Sequence, residues 1–403
     1  MKKIESIYPN ARIPYGTWGS SYFPAWQMSP LAEVNIGQFA GEAMSKIMSK
    51  RKVQMKNLDY LVTGSTIPWH WKFWTSPFVS SCAGFRLPGY HVEQACATGL
   101  KAILLAAAEV QSGSSDTVGV LTFDRTSDSP VGVFPERRSY ERTIALSDVW
   151  DNFGFDPATG NAMLATAGLA ARKYKIDKKE VDELTFYRYE QYFKSLESGF
   201  LNRVLVPLEV LNLQGKVMGV IDSDAGVRKI TLDGLRAMRE LDSCVTSGTQ
   251  THASDGMATL LVTNKDKAKE LSSRPEIDIQ IVGRAEVRTL PSLMPEAPVL
   301  TIKKLLNQTS LTLDDIAVVK NHNPFAVNDA IFAKEFKYDW HKMNNTGCPL
   351  VWGHPQGPTL TRVSMEAIEE AVDLGGGYVL IFGCAAGDVG IAAIYKVSEG
   401  GKK

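Results

Sequence analysis

Cysteine is scarce in this chain of 403 residues, and what there is does not pair up. Cys82, Cys96, Cys244, Cys348 and Cys384 are scattered without CxxC spacing, which argues against a zinc site or a disulfide framework. No apolar run reaches the roughly 18 residues that span a bilayer. Met1-Lys2-Lys3-Ile4-Glu5 lacks the apolar stretch of a signal peptide. Neither charge sign is in excess, since Lys plus Arg and Asp plus Glu number 44 each, so there is no electrostatic case for nucleic acid or an anionic membrane. The expectation is a reduced, cytosolic protein with no nucleic-acid or membrane partner. Its 44% hydrophobic and 22% charged content is that of a globular chain, long enough for two or three structural units.

What the chain does have is Val92-Glu93-Gln94-Ala95-Cys96-Ala97-Thr98-Gly99-Leu100, followed by the apolar run from Lys101 to Val110. An extended approach gives way to a helix, and small residues flank the thiol, so a substrate can come close. Free backbone N–H groups and the positive end of a helix dipole favour a thiolate there. A buried structural cysteine is the competing reading for any isolated thiol. The rest of the chain decides between them.

Residues 30–50 carry a helical stripe (Leu31, Val34, Ile36, Ala40, Ala43, Met44, Ile47), and Leu58 to Gly64 reads as a buried strand. The aromatic cluster Trp69, Trp71, Phe73 and Trp74 precedes the Cys96 helix, and Val118 to Phe123 is the next strand. The order recurs near the C-terminus. Val299 to Leu306 is helical, and Leu311 to Val319 resembles the segment before Gly64. The turn Gly353-His354-Pro355-Gln356-Gly357 then leads into a helix from Leu360 to Val372 and a strand from Tyr378 to Phe382. Cys96 lies 27 residues before Phe123, and His354 lies 28 before Phe382. The echo predicts a duplicated α/β fold with both reactive side chains at one cleft. Residues 124–243 break the pattern and read as an insertion built on one helix over roughly 160–196. The expected division is 1–123 plus 244–264 for the first half, 124–243 for the insertion and 272–403 for the second half.

Several of these motifs, in this order, resemble the thiolase superfamily from end to end. Ala11-Arg12-Ile13-Pro14-Tyr15-Gly16 is similar to the family's opening segment, and Cys96 in its Cys-Ala-Thr-Gly setting is similar to its nucleophile. Thr246-Ser247-Gly248 through Ser254-Asp255-Gly256 resembles the stretch lining the coenzyme A site. Gly353 to Gly357 resembles the histidine motif, and Gly383-Cys384-Ala385-Ala386-Gly387 the second-cysteine motif. His322-Asn323-Pro324-Phe325 replaces the common Asn-Glu-Ala-Phe. Its histidine resembles the sterol-carrier-type and archaeal branch, while Asn323 and Pro324 depart from that branch too.

The resemblance implies two duplicated five-layered halves, α-β-α-β-α, with an inserted loop domain, and a thiolase acting on 3-oxoacyl-CoA. By resemblance His354 takes the proton of Cys96, which attacks the keto carbon. Backbone N–H groups of Cys96 and Ala386 hold the oxyanion, and His322 and His354 donate to the enolate. Cys384 exchanges the α proton. Ser247, Gly248, Thr251 and Phe325 are assigned to substrate and coenzyme A. No metal or redox cofactor is implied, coenzyme A being a substrate in a ping-pong scheme. The family also implies a homodimer, and the histidine branch a small OB-fold, zinc-ribbon-type partner, as for benzoylsuccinyl-CoA thiolase.

Bland readings stand beside these: a core histidine for His322, a turn residue for His354, a core thiol for Cys384. His70, His91, His252 and His341 match no catalytic position, and Cys82, Cys244 and Cys348 read as packing. Trp69 to Trp74 reads as core or interface packing, or as the wall of a pocket for an aromatic acyl group. Two other functions fit less well. A decarboxylating ketoacyl-synthase-type enzyme uses one cysteine and two histidines but has no need of Cys384. A non-catalytic scaffold subunit needs none of the four.

Overall fold

The computed structural model describes residues 4–138 and 141–399. Two sheets carry the duplication. In the first, Asp255–Asn264 lies between Thr117–Arg125 and the short strands Ala11–Arg12 and Trp18–Ser20, antiparallel to all three; Thr117–Arg125, Tyr60–Gly64 and Gly89–Val92 then run parallel. In the second, Ile277–Arg288 and Gly376–Ala385 flank Val389–Glu399 antiparallel, and Ile316–His322 adds in parallel to Gly376–Ala385. The same sequence of orientations appears in both. The longest central strands are buried nearly throughout, as their continuous runs of Val, Leu, Ile and Phe require when both faces are covered.

Between the sheets lie two helices, Thr98–Ser112 and Thr359–Asp373. Ile36–Lys50 and Thr75–Cys82 cover the outer face of the first sheet, and Ala297–Thr309 and Ala326–Phe336 that of the second, where Phe332 stacks on Phe382. That is the α-β-α-β-α order.

Thr359–Asp373 is buried almost all round, yet its sequence includes Arg362, Glu366, Glu369 and Glu370. Isolated buried charges cost several kcal/mol each, on the order of what a whole domain has to spare, so each must be matched. Arg362 makes a bidentate contact with Asp224 at 2.9 and 3.0 Å and lies over the Trp352 ring. Glu366 takes Arg362 at 2.9 Å and Lys320 at 2.9 Å, Glu369 accepts from Tyr15 at 2.8 Å, and Glu370 accepts from Asn345 at 2.7 Å. Asp224 lies between the first-sheet strands in sequence, so this network also fastens the intervening segment to the core.

The segment from 126 to 243 differs from its expected single helix. The stretch over roughly 160–196 forms two, Met163–Tyr174 and Lys178–Glu197, because Lys175 turns left-handed (φ 51°) and Asp177 caps the second by accepting from Glu180 N–H at 2.8 Å, and the short helices Asp151–Gly154 and Leu232–Arg236 lie to either side. Arg188 of the second helix is fully buried and pairs with Asp329 at 2.8 Å, docking that helix on the second half. Residues 30–50 likewise divide, into a short turn Pro30–Glu33 and a helix Ile36–Lys50 capped by Asn35.

The two central helices meet at glycine. A Cβ on Gly99 would lie 2.7 Å from Gly357 O, Thr361 N and Thr361 Oγ1, two of them backbone atoms that cannot turn away. Gly99→Ala is expected to destabilise the fold by about 1–3 kcal/mol, the usual range for overpacking, and to part Cys96 from His354. Thermal denaturation together with Cys96 alkylation checks this; a variant with wild-type values for both would contradict the seam's role.

Candidate active site

Cys96 sits in a tight turn, Ala95–Ala97, between the strand Gly89–Val92 and the helix Thr98–Ser112. Ala95 takes a left-handed φ of 44°, a conformation that non-glycine residues hold only where neighbours enforce it. The enforcing residue is Thr98. Its Oγ1 accepts from Gln94 N–H and donates to Ala95 O, both at 2.8 Å. From the opposite half, Glu286 accepts from Gln94 at 3.0 Å and from Lys101 at 2.7 Å.

His354 arrives from the other helix start. Gly353 (φ 98°) leaves no room for a Cβ, which would meet Ser254 Oγ at 2.0 Å, and His354 N–H donates to His252 O at 3.0 Å. Its Nδ1 lies 2.7 Å from Thr359 Oγ1, which directs Nε2 at Cys96 Sγ, 3.2 Å away. Asp124 ties the two halves together beneath this pair. It accepts from Thr66 N–H (2.8 Å), Ile67 N–H (2.9 Å) and Thr66 Oγ1 (2.9 Å) in its own half, and from Gly357 N–H (2.8 Å) in the histidine turn.

His322 ends the strand Ile316–His322 fully buried, its ring 4.1 Å from that of His354, and among the described residues neither of its nitrogens has a hydrogen-bond partner. Cys384 is also fully buried, and Asn328 Nδ2 donates to its sulfur at 3.4 Å. Backbone N–H groups of Ala386 and of Cys96 itself lie near enough to the Cys96 sulfur to favour its anion.

The electrostatics correct one expectation. Burial pushes the Cys96 thiol up to about 12, against the pull of those two N–H groups, and the neighbouring Asp124 adds to the rise. Burial holds His322 down at about 3, and burial with the adjacent His322 holds His354 well below the ordinary imidazole value. Desolvation outweighs the helix start. The resting pair is therefore a neutral thiol and a neutral imidazole, not the thiolate that the helix N-terminus suggested. Burial likewise raises the Asp124 carboxyl, to about 7.

A cavity of about 740 Å³ opens onto Cys96, His354 and Ala386. Thr251 and Phe325 line it as expected, whereas Ser247 and Gly248 do not: Gly248 packs against Met238, whose sulfur a Cβ there would meet at 2.6 Å. The tryptophan cluster is not its wall either. Trp69 is core, packed edge-on against Phe123, and Phe73 and Trp74 are surface residues, 89% and 59% exposed. The aromatic lining comes instead from Trp150, Phe153 and Phe155, with Met163, Leu164 and Met294 beside them. His252, given no role from sequence, also lines the cavity. Asp124 and Asn328 were missed as well, because their partners lie far away along the chain, and Thr359, five residues past His354, carries no motif of its own. Only the aromatic-glycine run Trp150-Asp151-Asn152-Phe153-Gly154-Phe155 offered a local signal.

Comparison with known proteins agrees with this architecture. Residues 25–266 match the family described as "Thiolase, N-terminal domain" and residues 276–397 match "Thiolase, C-terminal domain". A probable acetyl-CoA acyltransferase of Staphylococcus epidermidis is 28% identical over 78% of this chain and 80% of its own length. An acetyl-CoA acetyltransferase of Syntrophomonas wolfei subsp. wolfei is 24% identical over 95% and 96%. The human mitochondrial 3-ketoacyl-CoA thiolase superposes with a TM-score of 0.87 at 22% identity, covering 98% of this chain and all of that one. The expected thiolase fold is thereby established.

Two expectations follow from the geometry. With the Cys96 thiol neutral at pH 7, its alkylation by iodoacetamide in the free protein should quicken about tenfold per pH unit, without a plateau below pH 8; an earlier plateau would mean a preformed thiolate. Asp124→Asn sets an amide N–H₂ against one pair of donors, leaving buried groups unmatched at about 1–3 kcal/mol. A lower melting temperature and slower Cys96 acylation are expected, and acylation at the wild-type rate would show that the cross-half tie does not position His354.

Proposed function

The chain belongs to the thiolase family, an acyltransferase family, and we propose that it cleaves a 3-oxoacyl-CoA with coenzyme A through an acyl-Cys96 intermediate. The observation that carries this reading is the 3.2 Å contact of Cys96 Sγ with His354 Nε2. His354 Nε2 takes the thiol proton as the sulfur attacks the 3-oxo carbon, so thiolate forms only as it is consumed. The N–H groups of Cys96 and Ala386 hold the resulting oxyanion. Breaking the C2–C3 bond leaves the acyl group on Cys96 and the enolate of the departing acyl-CoA, which is acetyl-CoA where C2 carries no substituent. The unpartnered nitrogens of His322 and the protonated His354 are suited to its oxygen. Cys384 delivers a proton to C2 and regains one from His354, the shortened acyl-CoA departs, and coenzyme A takes the acyl group while its thiol proton passes through His354 back to Cys96.

Cys384 also weighs against the decarboxylating alternative, in which carbon dioxide leaves and no α proton is exchanged. For Cys384, burial and the nearby Cys96 push the thiol up, which suits a proton donor, while the Asn328 amide offers its sulfur a hydrogen bond when it has given the proton away. Two thiols and two imidazoles gathered in one place, with His322, His354 and Cys384 buried and Cys96 at the cavity, have no place in a scaffold subunit.

We assign the acyl side of the substrate to the cavity bounded by Trp150, Phe153 and Phe155. Flat, polarisable surfaces of this kind suit a bulky or aromatic acyl group, benzoylsuccinyl-CoA being one such ester. A homodimer belongs to the same reading. Val133 of the strand Gly132–Arg138 and Ile144 and Leu146 of its partner strand Glu141–Ser147, together with Phe73 and Trp74, leave apolar surface that a second copy would cover. A small OB-fold partner is part of the proposal for the same branch and is tested by co-purification.

Peptide mass spectrometry after incubation with a panel of 3-oxoacyl-CoA esters, without free coenzyme A, tests the whole scheme. The expected result is an acyl adduct on Cys96 that disappears on adding coenzyme A, strongest for aroyl esters and shifted toward short chains only when Phe153→Ala removes the wall. A lack of adduct from every ester would refute the acyl-enzyme scheme, and a preference for acetoacetyl-CoA would refute the aromatic one.

A further inference from the structure

We propose that Cys96, His322 and His354 form a binding site for one thiophilic divalent cation, Zn²⁺ foremost, whose occupancy withdraws the Cys96 thiol from chemistry. One donor atom from each of the three lies within 4.8 Å of the other two, and the pair Cys96 Sγ and His354 Nε2 is already at 3.2 Å. Tetrahedral zinc, with N at about 2.0–2.1 Å and S at about 2.3 Å, sets its donors roughly 3.3–3.6 Å apart. Small side-chain rotations close the remaining gap.

Three features make this more than a coincidence of residue types. Thr359 holds Nδ1 of His354, so Nε2 is the nitrogen presented to the ion. His322 is fully buried with both ring nitrogens unmatched, and a buried polar group without a partner calls for a ligand. The third feature is access: Cys96 and His354 line the cavity, which gives the ion a path in and leaves a fourth position for water. One sulfur and two imidazole nitrogens, with no carboxylate in the set, select zinc over magnesium or calcium. Among the described residues no other group of three such side chains comes together, so one ion per chain is expected.

Binding is a simple exchange. The Cys96 S–H bond breaks, a zinc–sulfur bond forms and one proton leaves to solvent; nothing is oxidised or reduced. A sulfur so held cannot attack a carbonyl, and a Cys96 already carrying an acyl group cannot bind the ion. The sequence had argued against a zinc site because no two cysteines are suitably spaced. These donors instead come from three separate segments, a helical turn, a strand end and the His354 turn, up to 258 residues apart.

The test is titration of the metal-free full chain with zinc sulfate, followed by native mass spectrometry and by calorimetry in two buffers of different ionisation heat. One zinc per chain and about one proton released per zinc are expected. Cys96→Ala should lose that zinc, His322→Ala should bind it at least about tenfold more weakly, and a chelator should restore free thiol. Undiminished zinc uptake in Cys96→Ala, or none at micromolar zinc in the unaltered chain, overturns the proposal. Since His322→Ala can fail to fold, the unaltered chain loaded with Co²⁺ supplies a second reading. A thiolate-to-cobalt charge-transfer band supports the site, and its absence overturns it. None of these readouts requires acyl transfer, so the site can stand or fall apart from the enzymatic reading.

Discussion

Everything at the candidate site depends on how closely two buried helices approach each other. Thr98–Ser112 and Thr359–Asp373 belong to different halves and bring their starts together only because Gly99 lets Gly357 and Thr361 come into contact with its bare Cα. Cys96 lies three residues before that glycine and His354 three before Gly357, so the seam sets the spacing of sulfur and imidazole. The carboxylate of Asp124 and the hydroxyl pair Thr122–Thr361, 2.9 Å apart, fasten the same seam from the sheet side. An apolar interface alone would hold the halves with less directional precision; hydrogen bonds to buried carboxylate and hydroxyl groups add orientation to the packing.

The same burial that positions the pair also quiets it. A thiol at a helix start in water would lose its proton readily, but the cavity floor withholds solvation from the anion, and the neighbouring imidazoles are too poorly solvated to hold a proton in reserve. Reactivity is then conditional on a substrate carbonyl that can accept charge in reach of the Ala386 and Cys96 N–H groups. Contrast Arg362, where burial is matched by carboxylates on two sides: its charge is kept and serves to bind the 126–243 segment to the core. One helix thus carries a paired ion near its start and, just ahead of it, a neutral imidazole held between Thr359 and Cys96.

How much of this was legible before folding follows from the range of each interaction. Strands such as Val118–Phe123 and Tyr378–Phe382, and the helix Leu360–Val372, announced themselves through local periodicity and came out within a few residues. Their recurrence with glycine-marked turns at matching offsets was enough to place Cys96 and His354 in one cleft. Boundaries set by caps were lost: Asp177 with Glu180, and Asn35 with Gln38, each interrupt a stripe that continues by pattern alone. Side chains whose meaning lies in a distant partner were invisible, Asp124 and Asn328 above all. The pocket wall was sought in the conspicuous tryptophans at 69–74, but Trp69 fills the space above Gly37 in the core, and the lining is drawn from 150–155 in the inserted segment.

His322 is where these threads meet. Its backbone completes a strand, hydrogen-bonded in parallel register with Gly383, so its place is guaranteed by the sheet and owes nothing to its ring. The ring itself gains only a contact with His354 and leaves two nitrogens unmatched, which in a finished core would cost about 1–3 kcal/mol or more. An apolar side chain would fill the position without that penalty. Such a local loss persists where the surrounding structure over-determines it and where something outside the chain supplies the missing bond. A thioester oxygen would supply it in acyl transfer and a thiophilic cation would supply it in competition. The two ligands therefore exclude each other for the same physical reason that either binds.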